Sequence, residues 1–448
     1  MSNRPEPPSA PGAQQAGAPQ ISGPQINVWG LAILLAAVHA ASFSDRFLTA
    51  LLAAPLAHDL HLSDTQLGLL QGTIFILPYM LATPLFGRFA DRVSAKAAIL
   101  LGMSIWTAAT LAFAFARSYG DLTAARVVFG IGEAGLTPAA LALISARATP
   151  NQLGRAVSVF TSGATFGKGL ALLGGGLILA ALTHLLPHGP APWRLLFGLA
   201  VLPNLVLIAA LAALRAPEAA RSARPALAEV WAQLRPSAID YAILVAAGGA
   251  VVLLSQSLAA WVPAFYARTF AISPAQAGMV AGSALLVCGP IGSLGGGALL
   301  DALARRGVAD LPLRLIACAL AVTALAAAVA FTTSVLAVSV AAYAIILLAL
   351  GAGAPASLVQ LQLLTPTRLR GSMTALYVAV VTAIGFGVGP PVVGVMSDRL
   401  FGPGRHLPQA LIAFVLCACA VGLISLILHF ARRTAATGAQ RLRSDRAA

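Results

Sequence analysis

Charged residues are scarce in this chain. Asp, Glu, Lys and Arg make up 9% of its 448 residues, whereas soluble globular domains contain about 25%. The mean hydropathy is +0.87, and 59% of the residues are hydrophobic. This composition excludes a soluble domain and predicts a protein that crosses a membrane several times.

Signals of several function classes are missing as well. The four cysteines lie within apolar runs and share no metal-ligand spacing, so we expect neither a disulfide framework nor a metal site: Cys288, Cys318, Cys417 and Cys419. The letters from Gly130 to Gly135 fit a dinucleotide-binding fingerprint, but they lie in an apolar run with no strand before them. We therefore expect no cofactor, no enzyme activity and no nucleotide-driven pump.

Twelve apolar segments are long enough to span a bilayer, which needs about 20 residues for each helix. An all-α integral membrane fold is therefore predicted. The predicted spans are 28–54, 64–87, 97–116, 122–146, 153–182, 194–214, 239–265, 274–300, 311–333, 335–363, 371–397 and 408–430.

The 28 basic residues are distributed unevenly around these spans. The loops on one side hold only Arg117, Arg194, Arg268, Arg399 and Arg405, and the spans themselves hold Arg46, Arg126 and Lys168. All other Lys and Arg lie in the tails and in the loops on the opposite side, which predicts cytoplasmic termini and no nucleic-acid partner. The Arg-rich, Lys-poor usage and a first apolar run too long for a signal peptide favour a bacterial cytoplasmic membrane.

A polar segment with four Arg and three Pro separates six spans from six. We predict a disordered cytoplasmic tail at 1–27, a six-helix bundle at 28–214, a cytoplasmic loop at 215–238, a second bundle at 239–430 and a basic cytoplasmic tail at 431–448. Within the loop, Leu227–Leu234 is predicted to form a short surface helix.

The two halves repeat. Ser63, Gln66, Gly68, Gly72, Gly87 and Asp91 recur 210 positions later as Ser273, Gln276, Gly278, Gly282, Gly297 and Asp301. Such a spacing predicts two parallel six-helix repeats with a site between them. The glycines spaced four apart share one helix face, and we expect them to serve close helix packing.

One repeated segment lies in the predicted loop between the second and third spans. A glycine one turn before an aspartate lets the helix end approach a neighbour, and the charges after it can clasp that neighbour in one conformation. The segment resembles the signature of the major facilitator superfamily, Gly-x-x-x-Asp-Arg-x-Gly-Arg-Lys. Gly87, Asp91, Arg92 and Lys96 match it, Ser94 and Ala95 depart from it, and the second half matches at Gly297 and Asp301.

Charges inside the spans are the candidate functional residues, because each charge at a helix centre opposes insertion by roughly 2.5–3.5 kcal/mol. Asp45 and Arg46 lie in the first span, and Arg126 and Glu133 lie two turns apart on one face of the fourth. Two carboxylates beside two arginines can exchange protons as the polarity around them changes. The alternative is a buried ion-pair lattice without a mechanistic role.

A more specific resemblance is to the spinster-like branch of that superfamily. It rests on Ser44-Asp45-Arg46, Leu62 to Leu70, Gly130-x-Gly132-Glu133-Ala134 and Thr365-Pro366-x-x-Leu369-Arg370-Gly371. The resemblance implies that Asp45 and Glu133 respond to protons, with Arg46 and Arg126 as their partners. It also implies an amphiphilic or anionic substrate, since eukaryotic members carry lysophospholipids or sphingosine phosphate.

Further candidates for substrate contact are polar residues within spans. Lys168 is suited to a phosphate or carboxylate, although it can equally extend to the membrane surface or pair with an acid. Gln256 and Tyr377 are the candidates from the second half. With Arg46 and Arg126 they complete the predicted substrate site.

Together these features predict a proton-coupled secondary transporter that works by alternating access within membrane lipid. Its predicted solute is lysolipid-like. The alternatives are an organic-anion or sugar-acid symporter, a drug:proton antiporter and, outside transport, a membrane sensor that moves nothing.

Overall fold

The computed structural model describes residues 27–186, 188–214, 227–306, 308, 310–401 and 406–447. Within these residues the secondary structure is entirely helical. Twelve helices are long and apolar enough to cross a membrane, which confirms the predicted fold class. We label them α1 (Val28–Leu51), α2 (Asp64–Arg92), α3 (Ala95–Phe115), α4 (Tyr119–Ser145), α5 (Asn151–Leu185), α6 (Pro192–Ala213), α7 (Ala238–Thr269), α8 (Pro274–Ala304), α9 (Leu311–Ala330), α10 (Leu336–Leu364), α11 (Thr367–Leu400) and α12 (Leu407–Ala447).

Several boundaries differ from the predicted ones. The first span ends at Leu51, and a separate short helix, Ala53–Leu60, follows it. At the other end of the chain α12 continues to Ala447, where a tail was predicted from 431 onward, because Ala, Arg and Gln in that stretch are good helix formers. A helix covers Leu227–Leu234, as predicted. Of the predicted N-terminal tail, Asn27 is described and residues 1–26 lie outside the described residues. Residues 215–226 of the predicted cytoplasmic loop also lie outside them.

We call the end of the helices where α1 starts and α12 finishes the terminal end, and the opposite end the far end. At the far end the repeated glycines pack the two bundles against each other. A Cβ on Gly68 would lie 2.5 Å from the Pro390 carbonyl oxygen of α11, and one on Gly278 would lie 2.9 Å from the Leu172 carbonyl oxygen of α5. The packing predicted for these glycines therefore joins α2 to α11 and α5 to α8, in a symmetric pair of contacts.

The bundles are apart at the terminal end. A Cβ on Gly289 of α8 would still lie 3.6 Å from the methyl group of Thr165 of α5, whereas Gly87 and Gly297 face open space with nothing within 4 Å. The arrangement is closed at the far end and open at the terminal end. The residues that carry charge within the spans lie between these two regions.

Candidate functional site

Glu133 of α4 is bound by two side chains of α1. Its Oε1 accepts a hydrogen bond from the Ser42 hydroxyl at 2.5 Å, and its Oε2 forms an ion pair with Arg46. The side chains of Arg46 and Glu133 are 7% and 1% exposed, so the pair is withdrawn from solvent. Ser42 was missed by sequence reasoning, although its position one turn before Arg46 places it on the same helix face.

Aromatic rings enclose the Arg46 guanidinium. Its Cζ lies 4.3 Å from the ring centre of Phe43, 4.2 Å from that of Phe75 and 4.9 Å from that of Phe386. A cation over the face of an aromatic ring is stabilised by the ring's quadrupole, most strongly where water is excluded. Phe43 and Phe75 belong to the first bundle, but Phe386 is carried by α11 of the second. Both bundles therefore contribute to the surroundings of this ion pair.

Asp45 faces a different part of the first bundle. Its Oδ2 accepts hydrogen bonds from Asn204 Nδ2 of α6 at 2.6 Å and from the Thr110 hydroxyl of α3 at 3.1 Å. Neighbouring residues in a helix point about 100° apart, so Asp45 and Arg46 cannot share one environment. The two predicted proton-coupling carboxylates therefore occupy separate sites, one with a cation partner and one with neutral partners.

The side chain of Arg126 donates its hydrogen bonds to backbone carbonyl groups. Its Nε donates to the Leu70 carbonyl at 2.9 Å and its Nη2 donates to the Arg46 carbonyl at 3.3 Å. Among the described residues it forms no ion pair with either predicted carboxylate. The two turns between Arg126 and Glu133 separate them by about 10 Å along the helix axis, which leaves Arg46 as the nearer cation.

Lys168 and Gln256 meet between the two bundles. Lys168 Nζ of α5 donates to Gln256 Oε1 of α7 at 2.5 Å, and the same Nζ lies 5.6 Å and 5.3 Å from the ring centres of Phe43 and Phe47. Of the alternatives open for Lys168, extension to the membrane surface does not match this inward position. The lysine therefore adds a third cation close to Arg46 and its rings.

Tyr377, the remaining substrate candidate, lies elsewhere. It is 5% exposed and packs in an apolar cluster inside the second bundle with Tyr241, Leu361, Leu369, Met373 and Val381. Its ring hydroxyl lies against Gly248 of α7. The structure therefore does not bring Tyr377 to the cations, because its helix face is directed into its own bundle.

An electrostatic lock, which sequence reasoning missed, holds the far end closed. Asp64 at the start of α2 forms an ion pair with Arg268 at the end of α7 at 2.7 Å and accepts a hydrogen bond from Ser397 of α11 at 2.7 Å. Asp398 in turn accepts from the backbone N–H groups of Asp64 at 3.3 Å and of Thr65 at 2.7 Å. Free N–H groups at a helix start favour a carboxylate, and here that carboxylate comes from the opposite bundle.

The predicted clasp residues lie at the open terminal end. Lys96 Nζ donates to the carbonyl oxygens of Ala212, at 2.7 Å, and of Leu214 at the end of α6, where unpaired carbonyls favour a cation. This contact stays within the first bundle, whereas the motif predicts a clasp across the interface. Asp91 and Arg92 are exposed. Gly297 and Asp301 line a cavity of about 830 Å³ at the terminal end of the second bundle.

Comparisons with known proteins agree with this architecture. The family model of the Major Facilitator Superfamily matches residues 34–390. An MFS-type efflux pump of Mycolicibacterium smegmatis is 30% identical over 417 residues, which cover 92% of this chain and 94% of the pump. Protein spinster homolog 1 of Homo sapiens is 28% identical over 249 residues, covering 53% of this chain and 45% of the homolog. The chain thus matches about half the length of that spinster protein.

Among solved structures, a bacterial homolog of the human lysosomal transporter Spinster, in an inward-facing and unoccupied conformation, aligns with a TM-score of 0.78 at 22% identity. The alignment covers 90% of this chain and 98% of that one. A D-xylose-proton symporter aligns with a TM-score of 0.68 at 15% identity over 88% of this chain and 95% of the symporter. At these sequence identities, the two structural matches show that the fold is shared.

The chain belongs to the Major Facilitator Superfamily. It is a multi-pass membrane transporter of small molecules and not an enzyme. Within the superfamily it resembles the spinster proteins, among them Protein spinster homolog 1 of Rattus norvegicus, which is 29% identical over 53% of this chain.

Proposed function

We propose that this transporter couples the movement of an anionic, amphiphilic solute to protons through Glu133. The observation that carries the proposal is the buried ion pair of Glu133 with Arg46, which lies where the two bundles meet beneath a closed far end. Proton coupling needs an ionisable group that both bundles can influence. Arg46, through Phe386, is in contact with both.

The surroundings of the ion pair favour the solute chemistry. Arg46, Arg126 and Lys168 supply positive charge, and the rings of Phe43 and Phe47 supply apolar surface beside it. A phosphate or carboxylate head group would bind the cations, and an acyl or aromatic body would pack on the rings. A lysolipid-like molecule has both parts.

Competition for Arg46 provides the coupling. A substrate anion that binds Arg46 removes the cation partner of Glu133, and a carboxylate left without a cation in a dry site takes up a proton. Departure of the substrate returns Arg46 to Glu133 and releases the proton. Alternating access then exposes the site to one side of the membrane at a time.

Purified protein in liposomes tests this proposal. Addition of a lysophospholipid or an organic anion should change the internal pH for the native protein. Glu133→Gln should abolish that change, because the amide has nearly the same size and its oxygen can still accept a hydrogen bond from Arg46, but the amide cannot take up a proton. Asp45→Asn should reduce the change without abolishing it, since the hydrogen-bond partners of Asp45 among the described residues are the neutral Asn204 and Thr110. Proton movement that persists unchanged in both variants would indicate that the four charges form a structural lattice and take no part in coupling.

Drug efflux by proton antiport is the second candidate, and the relative named as an efflux pump favours it. The same liposome assay separates the two. A symported anion carries protons in the direction of its own movement, whereas an exported drug moves against them. A pH change of opposite sign, produced by lipophilic drugs and not by anions, would select the antiporter.

We further propose that the terminal end faces the cytoplasm of a bacterial cell, so that the structure is open to the inside. The uneven distribution of basic residues supports this orientation. A fluorescent protein fused after Ala448 should fluoresce in the native host, and alkaline phosphatase at the same position should be inactive. An active phosphatase and a dark fluorescent fusion would reverse the orientation.

A further inference from the structure

Of the three rings described around the Arg46 guanidinium, that of Phe386 belongs to the second bundle. Its position depends on closure of the far end. The Phe386 carbonyl is packed directly on Gly72, and the hydroxyl of Thr73 donates to the next carbonyl, that of Gly387, at 2.8 Å. When the bundles separate at the far end, this segment of α11 must leave α2, and the ring must leave Arg46 with it.

A small void lies on the far-end side of the ion pair. Its volume is about 10 Å³, close to the space that one water molecule needs. Arg46, Gln71, Arg126, Gln256 and Phe386 contribute to its lining.

Three residues that line the void carry buried polar atoms without a protein partner among the described residues. Both polar atoms of the Gln71 amide, Arg46 Nε and Arg126 Nη1 are buried and have no hydrogen-bond partner among the described residues. Gln71 is only 4% exposed, and buried polar groups of this kind are normally satisfied by a partner or by water. The void therefore has the size and the partners of a water site.

We propose that Phe386 is a positioning residue for coupling: its ring separates the Arg46–Glu133 pair and the adjoining water site from the far-end solvent until the bundles part. The inference rests on the proposed proton coupling through Glu133. Phe75 provides a matched comparison, since its ring lies equally close to Arg46 but belongs to the first bundle and does not line the void.

The test is passive proton entry into liposomes under an imposed pH gradient without substrate. Phe386→Ala should create a proton leak that the native protein lacks, because without the ring water can reach the ion pair from the far end each time the far-end lock opens briefly. Phe386→Leu, which keeps an apolar side chain, should remain tight. Phe75→Ala should also remain tight, whatever its effect on transport. A tight Phe386→Ala variant that folds and binds substrate, or an equal leak in Phe75→Ala, would overturn the inference.

The double variant Phe386→Ala with Glu133→Gln separates this inference from the proposed function. Since the ring is proposed to shield the Arg46–Glu133 pair, the leak should pass through Glu133 and the double variant should be tight. A leak that survives would show that the ring does not shield this pair, which contradicts the role assigned to Phe386. Coupled transport that persists in Glu133→Gln alone would instead overturn the proposed function. Loss of coupling in Glu133→Gln together with a tight Phe386→Ala variant would overturn only the role of Phe386.

Discussion

Replacing Arg46 by Met should lower the melting temperature of the protein by several degrees. The substitution leaves the Glu133 carboxylate, whose side chain is 1% exposed, with the Ser42 hydroxyl as its remaining hydrogen-bond donor among the described residues. Breaking a buried ion pair on one side destabilises a protein by about 3–5 kcal/mol, because the remaining carboxyl group must either stay charged without a partner or take up a proton. Thermal unfolding in detergent measures the effect. Arg399→Met, at an exposed far-end position, is the control for loss of one positive charge.

Adding Glu133→Leu to Arg46→Met should restore the melting temperature, since a buried ion pair can be replaced by apolar residues of similar volume with little change in stability. Substrate-driven proton movement should stay absent. This combination separates the two interpretations of the charges, because a structural lattice needs only stability and a coupling site needs the charges themselves. A double variant that is stable and still couples protons to substrate would show that the pair is structural.

The sequence predicted the twelve spans and the repeat because both depend on local signals. Hydrophobic length is a property of each segment alone, and an offset that recurs across whole helices requires no knowledge of packing. Charges within spans could be identified as candidates for the same reason. Asp45, Glu133, Arg46 and Arg126 could therefore be identified as candidates from the sequence alone.

The pairing of those charges was less accessible, because it depends on the rotation of each helix. Asp45 contacts Asn204 and Thr110, two ordinary polar residues of apolar helices, and nothing in their spacing relates them to α1. Gln256 and Tyr377 were equivalent candidates by composition. Gln256 lies beside Lys168 and Tyr377 lies inside its own bundle because of the rotation of α7 and α11 about their axes.

The far-end lock shows a different limit. Asp64 follows Ser63 at a helix start, and both residues have a local explanation. Ser63 Oγ accepts from the backbone N–H of Gln66 at 3.2 Å, and an acidic residue such as Asp64 is favoured in the first turn of a helix. The contacts of Asp64 with Arg268 and Ser397 join residues more than 200 positions apart. A residue with a sufficient local explanation gives no sequence signal for a second, long-range role.

The repeated glycines yield the second large expected effect. Gly72→Ala should shift the protein away from the far-end-closed conformation, because the new methyl group would overlap the Phe386 carbonyl and lie 2.6 Å from Pro391 Cδ. Backbone at a helix contact cannot yield as a flexible side chain can, and such overpacking costs about 1–3 kcal/mol. That energy corresponds to about a 5–150-fold change in the ratio of the two conformations.

Gly87→Ala is the matched control, since it adds the same methyl group to the same helix at the terminal end, where the structure has open space. If the terminal end closes around the motif of Gly87 in the other conformation, this methyl group should oppose that closure and favour the far-end-closed state. The two alanines are therefore expected to act in opposite directions.

Spin labels at His58 and Arg399, exposed residues of the first and second halves, would report the far-end distance once the four native cysteines are replaced. The distance should lengthen in Gly72→Ala and keep its short value in Gly87→Ala. Equal distance distributions in native protein and Gly72→Ala would mean that the contact of α2 with α11 does not control closure.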